Sequence, residues 1–344
     1  MKNLLLTVAK LAISAGLIYY LFRQAIQSDD FGTLFDSPKH WHWLALGFVA
    51  CLAGLVIGFV RWHVLVRALG LPFKLIDAVR LGFIGLFFCV FTIGVAGGDT
   101  MRAIYVCRQS PDRKAEVIAS VIFDRLIGLL TMVGVAALAF GQLNIDQLTI
   151  SQANEATIGY ASRFTMLLAV AGFVGFATLI AIPEFQKFKW SRAWLLRLFA
   201  TPGVGNFARK MTDVVSVFRG RSTAIVVSFL LSIGVNICFA VTIFAIAIGL
   251  GAQHPSFGHH LLIEPIAMVA NALPLPGGIG GMETAVAFLY QVLASGASGN
   301  GVIVAFTFRF FMLILSAAGG LVWLMNKEIF AVEDHPPENV SSTA

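Results

Sequence analysis

Apolar residues run along this chain in long, nearly unbroken blocks separated by short polar stretches. Eight such blocks stand near 4–22, 43–60, 79–96, 117–140, 162–182, 222–249, 261–292 and 302–325. About 20 apolar residues in a helix match the roughly 30 Å hydrocarbon core of a bilayer, so the predicted element is the membrane-embedded α-helix. The longest polar stretch between blocks is 184–221. The expected fold is an all-α polytopic membrane protein, with one integral membrane domain over 1–327 and a short acidic tail over 328–344. The first block carries Lys2 and Lys10 and invites a signal-peptide reading. Tyr19, Tyr20 and Arg23 stand where small residues before a cleavage site belong, so it reads as an uncleaved span.

The polar positions set the topology. If all eight blocks cross, the loop with Arg102, Arg108, Arg113 and Lys114 falls on the same side as Asp29, Asp30 and Asp36, against the preference for basic residues inside. If the third and seventh blocks instead enter, turn and leave on the side they came from, the basic loops fall together. Lys2, the run Arg61, Arg67, Lys74 and Arg80, the run Arg102 to Lys114, the segment 184–221 and Lys327 all become cytoplasmic. The outer segments 23–42, 141–161, 250–260 and 291–300 then hold only Arg23 and Lys39. Both suspect blocks contain helix-breaking runs: Gly94, Gly97 and Gly98 before Asp99, and Pro274, Pro276, Gly277, Gly278, Gly280 and Gly281. Such runs are expected not to hold a regular helix, and irregular backbone at membrane depth belongs where it is buried or lines a wet cavity. Ordinary surface turns between spans are the alternative.

The reading is therefore six full spans plus two re-entrant helical hairpins. Residues 4–140 and 162–325 become span, span, hairpin, span, with opposite orientation. Inverted repeats with breaks at corresponding places are a transporter pattern, with the binding site where the breaks meet. No residue-for-residue identity between the halves stands out, so the mirror rests on pattern. The segment 184–221 spaces Phe185, Phe188, Leu195 and Phe199 among Lys187, Lys189, Arg192 and Arg197, as a basic amphipathic helix on anionic inner-leaflet lipid does; a solvated linker is the bland alternative.

Composition agrees: 58% hydrophobic and 12% charged residues and a mean hydropathy of +0.84 exclude a soluble protein. The net charge of +6 marks the cytoplasmic loops and not a nucleic-acid partner. Four cysteines without metal or disulfide spacing add little. His40, His42, His63, His254, His259 and His260 lack supporting carboxylates and read as interfacial, so no metal and no cofactor are expected. No nucleophile elbow, P-loop or zinc-protease motif occurs, and no catalytic residue is named.

Charges inside the blocks are the candidate chemistry, since each costs about 2.5–3.5 kcal/mol near the bilayer centre on insertion scales. Asp124, Arg125 and Arg309 lie within blocks; Asp99 and Arg102 border the first glycine turn; Glu264, Asn271 and Glu283 bracket the second. These eight residues form the candidate substrate-binding set. Gly97, Gly98, Pro274, Pro276, Gly277, Gly278, Gly280 and Gly281 supply the backbone turns. A guanidinium grips a phosphate through paired hydrogen bonds, which suits an anionic headgroup. Structural ion pairs, Asp124 with Arg125 and Glu283 with Arg309, are the competing reading.

At Gly97-Gly98-Asp99-Thr-Met-Arg102, Asp124-Arg125-Leu-Ile-Gly128-Leu and Pro274-Leu-Pro276-Gly-Gly-Ile-Gly280-Gly-Met-Glu283, the chain resembles the lysylphosphatidylglycerol synthase transmembrane-region family, also described as flippase-like. The resemblance covers about 1–327. It implies a membrane part that moves a lipid product between leaflets. Larger members add a cytoplasmic domain that puts lysine on phosphatidylglycerol; that domain is not expected here, where the chain stops soon after the last block. Stand-alone members handle varied lipids, including hopanoid and polyisoprenoid-linked ones. The expected function is a lipid translocase for an anionic or phosphate-bearing lipid in the cell membrane, with both termini cytoplasmic. The expected partners are that lipid and the inner-leaflet lipids at 184–221. A membrane enzyme using Asp99, Asp124 or Glu283 as acid or base on a lipid phosphate or lipid-linked sugar is the alternative, and a membrane scaffold is the other.

Overall fold

The computed structural model describes residues 38–91, 95–141, 152–185, 214, 216–218, 220–271, 280–294 and 298–325. Among them there is no strand, and the elements are helices: α1 (Trp41–Ala68), α2 (Leu75–Phe91), α3 (Val95–Gln109), a short 3-10 turn (Pro111–Arg113), α4 (Lys114–Gly141), α5 (Gln152–Phe185), α6 (Ser222–Leu250), α7 (Phe257–Asn271), α8 (Gly281–Leu293) and α9 (Ser298–Met325). This is an all-α membrane protein. Among the described residues four helices are long and apolar enough to cross a bilayer, within Trp41–Ala68, Pro111–Gly141, Ser222–Leu250 and Asn300–Met325, and Ser162–Thr178 of α5 is a shorter apolar stretch. The predicted first span, the middle of the basic segment 184–221, the Pro274 to Gly278 turn and the acidic tail lie outside the described residues.

The centre of the fold is the pair α1 and α6, which makes the most extensive helix contact. Small residues let the two backbones approach. A Cβ on Gly47 would touch the Thr242 carbonyl oxygen and Ala245, one on Gly54 would press on Cys238 and Phe239, and Gly249 faces Leu44. Rising numbers on α1 meet falling numbers on α6, so the pair is antiparallel. Arg61, seven residues after Gly54 on the same face, reaches Ser232 of α6.

Each half carries a helical hairpin in place of a third long helix. In the first, α2 and α3 pack antiparallel, with Gly85 against Gly98 and Arg102 donating to the Gly82 carbonyl at 3.2 Å. In the second, His260 at the start of α7 meets Tyr290 near the end of α8, Nε2 to Oη 2.8 Å. Helices of 17, 15, 15 and 13 residues rise about 20–25 Å, short of the hydrocarbon thickness. The adjacencies mirror each other on exchange of halves. The contacts α1 with α2, α2 with α3, α2 with α9 and α1 with α4 correspond to α6 with α7, α7 with α8, α7 with α4 and α6 with α9.

Both suspect blocks divide into two helices, and the expectation of a break needs correction only at Gly97, Gly98 and Gly281. Gly97, Gly98 and Asp99 lie within the first turns of α3, and Gly281 is the first residue of α8. A glycine costs about 1 kcal/mol against alanine in a helix; at Gly98 close packing offsets it, because a Cβ there would collide with the Gly85 carbonyl. Among the described glycines of these two runs, Gly280 takes a conformation that favours glycine, at φ 99°, where the chain turns into α8.

Candidate functional site

The first hairpin brings Asp99 to α4. Arg125 donates from Nε to Asp99 Oδ2 at 2.7 Å and from Nη2 to Oδ1 at 2.6 Å, a paired, charge-assisted geometry. Arg102, one turn along α3, stands 3.8 Å from the same carboxylate. Its guanidinium lies over the rings of Phe59 and Trp62, at 5.3 and 5.9 Å, and its buried Nε has no hydrogen-bond partner. Asp99 thus answers two arginines, and the Arg125 side chain remains 46% exposed.

The second hairpin repeats the arrangement in a closed form. Arg309 of α9 brings Nε and Nη2 within 2.9 Å of Glu283 Oε1. Glu283 Oε2 accepts from the Gly280 backbone N at 2.8 Å, capping α8. Thr284 Oγ1 donates to the Gly280 carbonyl at 2.5 Å. Glu283 is fully buried and the Arg309 side chain is 16% exposed. The acid and its arginine are 26 residues apart in both hairpins, and Glu283 follows Asp99 by 184 residues, as Arg309 follows Arg125. The same offset superimposes Lys114–Gly141 on Ser298–Met325 end for end. It also aligns Gly94-Val-Ala-Gly97-Gly-Asp99-Thr100 with Gly278-Ile-Gly-Gly281-Met-Glu283-Thr284, so a trace of sequence identity between the halves exists after all.

Asp124 does not pair with Arg125, as the competing reading required. Neighbouring residues on a helix point about 100° apart, and Asp124 turns to α1, where Arg61 Nε and Nη2 reach its two oxygens at 2.7 and 3.0 Å. Arg61 Nη1 continues to Ser232 at 2.7 Å. This clamp ties α4, α1 and α6 in the buried interior. Arg61 is therefore not a loop residue but a buried member of α1. Its signal was present: Trp62, Leu65 and Val66 continue the buried stripe of α1 past residue 60.

Glu264 and Asn271 stand apart from these pairs. Glu264 is 2% exposed, and its Oε2, like Asn271 Oδ1, is buried without a partner among the described residues. His260 is not interfacial but fully buried, with Nδ1 donating to the Ser256 carbonyl at 2.9 Å. Pro274, Pro276, Gly277 and Gly278 lie outside the described residues. The half-buried Cys89 stands near the end of α2. Arg61, Ser232 and Cys89 are the members of this interior that the sequence reading omitted. Among the described residues no three His, Cys, Asp or Glu side chains gather as a metal site would need.

No curated protein and no solved structure matches the chain. The family model described as lysylphosphatidylglycerol synthase TM region matches residues 7–320. With motifs, helices and matched range in accord, the chain belongs to the lysylphosphatidylglycerol synthase transmembrane-region family, a lipid-related family of membrane proteins.

Proposed function

We propose that this protein is a lipid translocase that passes an anionic or phosphate-bearing headgroup between leaflets of the cell membrane while the tails stay in lipid. The observation that carries the reading is the repeated acid–arginine pair: an acid and an arginine at the same spacing, half open in one hairpin and shut in the other. Arg125 uses Nε and Nη2 on Asp99, and its Nη1 has no partner among the described residues, so a phosphate oxygen can take it without the pair being broken. Arg102 adds a second positive group beside the same carboxylate. The antiparallel α1 and α6 and the mirrored adjacencies support inverted halves that rock to expose the site to each leaflet in turn. The hairpins dip partway into the bilayer from opposite faces, with both termini cytoplasmic, and the basic segment 184–221 rests on anionic inner-leaflet lipid.

The test is leaflet-resolved movement of fluorescent phosphatidylglycerol in proteoliposomes. Wild-type protein accelerates it. Arg125→Ala, which removes a charge-assisted contact of about 1.5–3 kcal/mol, slows it roughly tenfold or more. Wild-type rates for Arg125→Ala, or no acceleration by the wild type with phosphatidylglycerol or a phosphate-bearing polyisoprenoid, overturn the proposal.

A further inference from the structure

Glu264 is the one acid of the interior that the headgroup path leaves unexplained. The other interior carboxylates described above, two buried and Asp99 partly so, each have a cation: Asp124 has Arg61, Asp99 has Arg125 and Glu283 has Arg309. Glu264 is buried, at 2% exposed, yet makes no ion pair among the described residues, and its Oε2 has no hydrogen-bond donor there.

The ionisable groups on the elements packed against α7 are already engaged. On α8, Glu283 is held by Arg309 and the Gly280 N–H, and Tyr290 faces His260. On α4, Asp124 and Arg125 have the partners named above, Glu116 is held by Arg113, and Lys114 is the helix's first residue. On α6 the one such group is the thiol of Cys238. Within α7, His260 spends its nitrogens on Ser256 and Tyr290, and His259 lies by the Ser256 hydroxyl. Residues 272–279, which follow α7, contain no ionisable side chain. An ionised carboxylate shut away with no counter-charge costs several kcal/mol, and such a group takes up a proton instead. A neutral acid also needs an acceptor for that proton. Pro265, inside α7, leaves the Leu261 carbonyl, three residues before Glu264, without its helical N–H. In the first hairpin the equivalent position is the exposed Arg80, so this acid belongs to one hairpin only.

We infer that Glu264 is a proton-binding site, holding its proton while closed inside the second hairpin and releasing it when that hairpin opens to water. Built on the translocase reading above, this makes the proton the coupling ion: the closed hairpin carries one, the open one exchanges it, and headgroup movement responds to a pH difference across the membrane.

Two measurements test it. Infrared spectra of wild type against Glu264→Gln, a neutral isostere, at neutral pH should differ by the carbonyl stretch of a protonated carboxylic acid; no such band overturns the assignment. In proteoliposomes with fluorescent phosphatidylglycerol, a pH difference should bias movement by the wild type and by Glu264→Asp. Glu264→Gln should let the lipid equilibrate without any bias. A gradient response that survives in Glu264→Gln, or that is absent from the wild type, overturns the coupling. If lipid moves in neither protein, the translocase reading fails and the coupling with it, while the infrared band still decides whether Glu264 holds a proton.

Discussion

The two hairpins are built to one plan and differ in how tightly they are shut. Both place an acid near the start of their second helix and an arginine 26 residues later on the following long helix. In the first, the acid shares two arginines and the pair lies partly open. In the second, a fully buried carboxylate is used up by Arg309 and a helix cap. The packing follows the same contrast. Gly98 of the first hairpin touches backbone, whereas its counterpart Met282 is a buried core residue, 1% exposed. The clamp of Arg61 and Asp124 also has an apolar counterpart, Ala245 and Phe308, both buried. On a shared plan, one hairpin carries a polar, partly open pair and the other a buried one.

The largest expected effect breaks the buried pair. Arg309→Ala leaves Glu283 buried and uncompensated, at a cost of about 3–5 kcal/mol, whereas Arg125→Ala leaves a partly exposed Asp99 and costs about 1 kcal/mol or less. Thermal unfolding in detergent should show a large drop for the first and little change for the second; equal drops would erase the contrast between the hairpins. Next, Arg61→Ala alone should cost about 3–5 kcal/mol by stranding Asp124, while Arg61→Ala with Asp124→Phe, which copies the apolar contact of the second half, should recover most of that stability. A double variant no better than the single would show that the two halves do not pack alike here. Smallest is Gly98→Ala, where the added methyl meets the Gly85 carbonyl. A loss of about 1–3 kcal/mol is expected, read from the same unfolding curves, and an unchanged midpoint would mean the hairpin spreads at no cost.

Much of this was legible in the chain. Hydropathy located the long helices because each is written in its own residues, and the charged residues in and beside the apolar blocks included both acids and both arginines, though not the pairing of Asp99 with Arg125. The pairing of Glu283 with Arg309 was anticipated. That of Asp124 was not, because adjacency in sequence suggested Arg125 while helix geometry turned the two side chains to different neighbours. Arg61 was hidden for a related reason: it sits just past the apolar core of its block, and only the continuation of α1 to Ala68 carries it inside. Gly98 was read as a breaker because its cost is visible locally, while the contact with Gly85 that offsets the cost is not.

By itself, the sequence determined the solvent this protein is built for, the positions of its long helices, where the short ones interrupt the pattern and which residues carry charge into lipid. These properties depend on the transfer free energy and backbone preference of residues taken in short windows. Which carboxylate meets which guanidinium, which pair stays open, and that Glu264 is left without a counter-charge were decided only by the tertiary structure. Ion pairing depends on distances of a few ångströms between helices far apart in the chain, and those distances are set by how the halves pack against each other.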